Sequence, residues 1–202
     1  MTTELNRQLL DNIEQGWRFA WTMFYRPETN LFYDRVFSDD PAHTQDHLPT
    51  AEEVRRQYPN PCGWGTGMED SAISAGVWMG AVCDRFDATG DWGMKAYADQ
   101  VWAGMARLAR VAKAPGFLPR SVCLEDGESH YTESSRDQYT HYVHALWRFS
   151  HSPLADEDQR TAMRDIIAAI CARADAFVTP EHDFSLCRED GTFSAVTKMW
   201  EV

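Results

Sequence analysis

Apolar residues recur at helical spacing through most of this chain. In residues 4–25, Leu5, Leu9, Ile13, Trp17 and Phe24 form a broad stripe, which predicts an amphipathic helix ended by Pro27. Residues 28–50 lose that period and read as loop with short irregular strands at Leu31-Phe-Tyr33 and Val36-Phe37. Thr50-Ala-Glu-Glu53 matches a capping box, so a short helix should open there and close at Pro59. Long helices are expected over residues 69–87, 92–113, 135–150 and 156–178. Ala72, Ala75, Gly76, Gly80 and Ala81 would let a neighbouring helix approach the first of these closely.

The breaks are as informative as the periods. Thr89-Gly90-Asp91 reads as a tight joint, with Gly90 just past one helix and Asp91 as the next N-cap. Pro115-Gly116, Pro153 and Thr179-Pro180 supply stops, and Asp126-Gly127 and Glu189-Asp-Gly191 mark the tips of small hairpins. Short joints pair helices as antiparallel hairpins, so the long connections, 26–68, 114–134 and 179–194, should gather at the opposite end. The expectation is an all-α domain over residues 1–202 with one functional face. The apolar end, Thr197-Lys-Met-Trp-Glu-Val202, has no cap or polar tail and reads as the interior of a longer domain cut at its C-terminal side.

Composition narrows the classes. At 202 residues and 44% apolar the chain can build its own core. A formal charge of −12 argues against nucleic acid and anionic membrane as partners, because both need a basic footprint. No run is long enough to cross a bilayer, and Met1-Thr-Thr-Glu-Leu-Asn-Arg7 lacks the apolar stretch of a signal peptide, which predicts a cytoplasmic protein. Five cysteines with no C-x-x-C pair point to a reducing compartment rather than to disulfides or zinc. No nucleotide-binding or nucleophile-elbow motif occurs, and no cofactor is expected.

Two polar runs carry the candidate chemistry. Asn60-Pro-Cys-Gly-Trp-Gly-Thr-Gly-Met-Glu-Asp70 brings Trp64, Glu69 and Asp70 to a Gly-rich loop ahead of a helix. Tyr131-Thr-Glu-Ser-Ser-Arg-Asp-Gln-Tyr139 brings Tyr131, Arg136, Asp137 and Tyr139 to a second helix start, with His141 one turn on. Arg136 and Tyr139 can share a helix face, and Arg120 adds a second cation. Each run has a structural alternative. Thr66-Gly-Met-Glu69 and Ser134-Ser-Arg-Asp137 both fit capping boxes, in which the acid only satisfies backbone N–H groups. His141 and His144 have metal-binding spacing but no completing carboxylate, so no metal is expected. Trp17, Trp21, Trp78, Trp102 and Trp147 read as core, and the cysteines as small buried apolar groups.

These motifs, Cys62-Gly-Trp-Gly-Thr-Gly-Met-Glu-Asp70, Phe86-Asp-Ala-Thr-Gly-Asp91, Gly116-Phe-Leu-Pro-Arg120 and Ser134-Ser-Arg-Asp-Gln-Tyr139, resemble those of the six-hairpin glycosidase superfamily. The resemblance implies antiparallel helical hairpins forming part of an (α/α)6 toroid, with a cleft at the helix N-termini and carboxylate acid–base catalysis without metal. On that footing the expected activity is glycoside hydrolysis of an oligo- or polysaccharide by Asp70 and Asp137, with Glu69 as substitute. Trp64, Arg120, Tyr131, Arg136, Tyr139 and His141 would hold the sugar. A polysaccharide lyase using Tyr139, His141 and Arg136, or a non-catalytic sugar-binding toroid, are the alternatives.

Overall fold

A computed structural model describes residues 2–199. Among the described residues there are six α-helices: α1 (Thr2–Met23), α2 (Ala51–Arg55), α3 (Ser71–Thr89), α4 (Met94–Val111), α5 (Arg136–Ser150) and α6 (Glu157–Phe177). The only strands among the described residues are β1 (Tyr25–Arg26) and β2 (Leu31–Phe32), an antiparallel ribbon pairing Tyr25 with Phe32 and Arg26 with Leu31. The protein is therefore mostly helical, as its periodicity predicts. The capping box at Thr50 forms in full, with the Thr50 hydroxyl accepting from Glu53 N and the Glu53 carboxylate accepting from Thr50 N.

Helix order follows from the joints. Gly90 adopts φ 66° and its N–H donates to Phe86 O at 2.7 Å, which ends α3 and turns the chain back into α4. Asp91 does not cap α4 directly. Its carboxylate accepts from Gly93 N at 2.8 Å, and α4 starts at Met94, two residues later than expected. Helices α3 and α5 lie side by side and parallel: Ile73 meets Gln138, Gly76 meets His141, and Asp84 and Asp87 meet Arg148. A methyl on Gly76 would sit 2.6 Å from the His141 carbonyl oxygen, so this contact requires glycine. Gly80, by contrast, faces open space. Helix α1 runs opposite to α3, with Glu14 on Arg85 at 2.7 Å and Trp17 edge-on to Trp78. Helices α4 and α6 run in the same sense as α1, joined where Gln159 donates to Asp99 at 2.8 Å.

The core lies between these helices and β2. Leu31, Phe32, Tyr33, Met79, Met105, Leu108, Tyr142 and Phe149 are fully buried there. Several expectations fail for reasons of placement. Leu5, Leu9 and Ile13 are exposed, because α3 ends four residues beyond the Glu14–Arg85 contact and leaves the start of α1 uncovered. Trp147 is exposed on α5, its ring tilted against that of His151, and Cys171 is exposed on α6. Residues 123–129 and 188–192 close as turns, through Cys123 N to Ser129 O (2.7 Å) and Arg188 N to Thr192 O (2.8 Å), but form no strands. Val36-Phe37 forms none either. The end of the apolar terminus, Trp200-Glu-Val202, lies outside the described residues. No helix among the described residues is long and apolar enough to cross a membrane.

Candidate functional site

The Gly-rich loop is shaped by its own polar groups. Asn60 Oδ1 accepts from Cys62 N and Trp64 N, and Asn60 Nδ2 donates to Trp64 O, which closes the loop on itself. Thr66 donates to Gly63 O at 2.6 Å and accepts from Met68 N at 3.1 Å. The expected capping box at Thr66–Glu69 is thus absent: Thr66 organises the loop, and α3 begins beyond Glu69. Gly67 sits at φ 88°, and a Cβ there would lie 2.6 Å from His47 Nε2. That position combines a left-handed backbone with a close approach, which only glycine tolerates.

The carboxylate that meets this loop is Asp34, just after β2. Its Oδ2 accepts from Glu69 N and, at 2.8 Å, from Asp70 N, and its own N–H donates to Gly67 O at 3.1 Å. Its Oδ1 is buried with no partner among the described residues. Burial pushes the Asp34 carboxyl up to about 7, outweighing the two N–H bonds, and the neighbouring Asp70 carboxylate pushes the same way. Asp34 therefore gives up its proton much closer to neutral pH than an ordinary aspartate does.

Asp70 stands beside it at the start of α3. Its Oδ1 accepts from Gln138 Nε2 at 2.7 Å and from Arg120 Nη1 at 3.2 Å, and both donors also reach Glu69 O. Arg120 is only 6% exposed, and its guanidinium lies 6.0 Å from the exposed Trp64 ring. Arg120 Nε and both His47 ring nitrogens, like Asp34 Oδ1, are buried without a partner among the described residues. Unpartnered buried polar atoms thus surround one loop, where each costs stability unless a ligand or water meets it. Glu69 is engaged, with Oε1 accepting from Gly65 N (2.7 Å) and Arg35 Nη2 (2.9 Å).

Asp34 and Asp70 line one cavity of about 410 Å³ with Phe24, Phe32, Ile73 and Trp78 among its walls. Asp137 does not reach it. The Asp137 carboxylate accepts from the Ser135 hydroxyl and Gln138 N, and faces a separate groove with Arg136 and Lys198. Burial raises this carboxyl, but the Ser135 hydroxyl, the Gln138 amide and the Arg120 charge outweigh it and leave it below the ordinary range. The expected capping box is altered here too: α5 begins after Ser135, Asp137 serves the first turn, and the Ser134 hydroxyl is buried without a partner among the described residues.

Other candidates are structural. The Tyr131 hydroxyl donates to Tyr58 O at 2.7 Å, and its buried ring lies where a Cβ on Gly63 would be. The Tyr139 hydroxyl accepts from Leu118 N at 2.8 Å, and burial pushes it up to about 12. His141 Nδ1 is on the Asp137 carbonyl oxygen, and Arg136 is exposed away from Asp70. The two polar runs nevertheless touch: Glu133 N donates to Pro61 O, and Cys62 Sγ donates to Glu133 Oε2 at 2.7 Å. Glu133 is buried and also accepts from Ser194 and Arg188, tying both runs to the C-terminal segment.

A second cavity, about 930 Å³, is a surface cleft lined by Arg55, Asp126, His130 and Glu189 among others. Four of its charged groups pair, Arg55 with Asp126 and His130 with Glu189, and among the described residues none of its walls holds an unpartnered buried atom. It is the weaker candidate. No three or more His, Cys, Asp or Glu groups are placed to hold a metal among the described residues. Asp34 and His47 were not singled out by the sequence, where they sit in an aperiodic segment without a motif. No family model matches this chain, and neither does any curated protein or solved structure.

Proposed function

We propose that the Asp34–Asp70 cavity is the reaction centre of a glycoside hydrolase built on a segment of an (α/α) toroid. The observation that carries this reading is the pairing of the two aspartates in one aromatic-walled cavity, one with its carboxyl raised by burial and one held by Arg120 and Gln138. Hydrolysis needs an acid at the leaving oxygen and a carboxylate across the bond. Asp34 supplies the proton to the leaving oxygen. The glycosidic C–O bond breaks, and the hydroxyl of water ends on the anomeric carbon while Asp70 stabilises or activates the incoming group. The proton lost by water restores the acid. Trp64 and Arg120 would lie on the sugar side. The order of the helices, α3 and α5 parallel with α1, α4 and α6 opposed, supports a toroid segment, and the motif resemblance supports carbohydrate as substrate.

The lyase alternative loses Tyr139 as its base, because that hydroxyl is locked in the core, and keeps only His141, which is exposed, bonded to the Asp137 carbonyl oxygen and outside the Asp34–Asp70 cavity. A non-catalytic sugar-binding reading keeps one specific support: Asp34 Oδ2 takes two backbone N–H groups, as a cap would. Asp34→Asn separates the two. Asn can place its oxygen on both N–H groups and its NH₂ in the unpartnered corner, but it cannot deliver a proton in this step. Turnover of a glycoside panel should be lost with the melting temperature kept. A variant that melts lower and still turns over would overturn the catalytic reading.

A further inference from the structure

The cavity beside Asp34 has an uneven inventory, and this inference rests on the hydrolase reading above. Its polar contributions come from Asp34, Asp70 and Ser74. Tyr33 adds little, since its hydroxyl donates away from the cavity to Val122 O at 2.9 Å and lies 3.1 Å from Thr29 Oγ1. The remaining wall is apolar. Phe32 and Trp78 stack 5.1 Å apart at 12°, with Trp21 edge-on to both, which holds the half-buried Trp78 in place as part of that wall. Phe24, Ile73 and Ala20 complete it. A pyranose pressed into this wall would leave hydroxyls without partners, at roughly 1–3 kcal/mol each. An apolar ring would bury its surface there with no such cost.

We propose that this wall is an aglycone subsite, and that the substrate is a glycoside whose leaving group is an aromatic or alicyclic ring rather than another sugar. The leaving oxygen then lies at Asp34, the ring against Phe24, Ile73 and Trp78, and the sugar on the side of Asp70 and Ser74. The polar groups of the cavity then face the hydroxylated part of the substrate, and the apolar wall faces the part that leaves. It narrows the oligo- or polysaccharide expected from the sequence to small glycosides with an apolar aglycone.

The test compares cyclohexyl and methyl glycosides of a panel of hexoses and pentoses. Both leaving groups are simple alkanols, so the comparison reads the subsite. Binding of 2-naphthol by calorimetry runs in parallel, on wild type, Ala20→Phe and Phe24→Ala. Ala20 is half-buried on α1, and phenylalanine there would fill the cavity without entering the core. The expected result is a cyclohexyl preference in kcat/KM of at least about tenfold, ~1.4 kcal/mol, with naphthol binding weakened similarly in Ala20→Phe. Phe24→Ala, which opens the wall, keeps the measurement informative should Ala20→Phe fail to fold. Equal cleavage of both glycosides, with naphthol unbound or indifferent to both substitutions, would overturn the aglycone subsite and leave the hydrolase reading standing. Naphthol binding without cleavage of any glycoside would instead overturn the hydrolase reading, and the aglycone role with it.

Discussion

Asp70 and Asp137 occupy nearly the same place on two parallel helices, yet they have different surroundings. Asp70 opens α3 and Asp137 lies in the first turn of α5. Both are near Arg120, and both share a contact with Gln138. The difference lies in what faces them. Asp137 is satisfied locally by Ser135 and the Gln138 amide, over a groove that also holds Lys198. Asp70 faces a second carboxyl, Asp34, delivered from β2, and a wall of aromatic rings. A carboxylate at a helix start is ordinarily a cap. It becomes a candidate for chemistry only where another element brings a second titratable group and shields both from water.

The largest effect that could break this comparison is on rate. Asp34→Asn and Asp70→Asn should each lower turnover of a cleaved glycoside by about 10²–10⁴-fold, the usual range for acid–base groups. Asp137→Asn should leave it within about twofold, ~0.4 kcal/mol. Equal losses at Asp70 and Asp137 would erase the distinction drawn here.

The two sides should also respond oppositely to pH. The Asp34 carboxyl is raised in the folded protein, so its contribution to stability is fully present below about pH 4 and is lost as pH rises through about 7. Three pKa units correspond to at most roughly 4 kcal/mol. Wild type should therefore lose stability relative to Asp34→Asn between pH 4 and 7 in denaturant titrations. Asp137 is depressed, so its smaller contribution is present above the ordinary carboxylate range and lost as pH falls. A wild-type stability curve parallel to that of Asp34→Asn across this window would remove the case for a protonated Asp34.

A third measurement concerns the contact between the two polar runs. Glu133→Ala would leave the Arg188 and Ser194 donors without their buried acceptor, and should cost about 2–3 kcal/mol in unfolding free energy. Trp64→Ala, on the exposed side of Arg120, should cost only about 1 kcal/mol, seen as a raised KM with unchanged melting. A loss of kcat there would place Trp64 nearer the reacting bond than its exposure suggests.

Much of this protein follows from local sequence. The long helices appear where apolar residues keep a 3.6-residue period, and their ends fall within a few residues of the expected stops, because caps, prolines and Gly90 act over one turn. Thr50-Ala-Glu-Glu53 caps α2 as read, since all four groups lie in one short segment. Asp70 and Trp64 could be read together for the same reason, whereas Arg120, 50 residues on, meets Asp70 only through the fold. What local sequence could not decide was which neighbours meet across the fold. The boxes at Thr66 and Ser134 failed because Asp34, 36 residues before Asp70, takes the N–H groups of Glu69 and Asp70, and Ser135 takes the place of Ser134. Tyr131 and Tyr139 read as ligand contacts until packing buried them. Asp34 had no motif at all, and its perturbed carboxyl comes from burial beneath a loop and beside a second acid, quantities that depend on contacts distant in the chain.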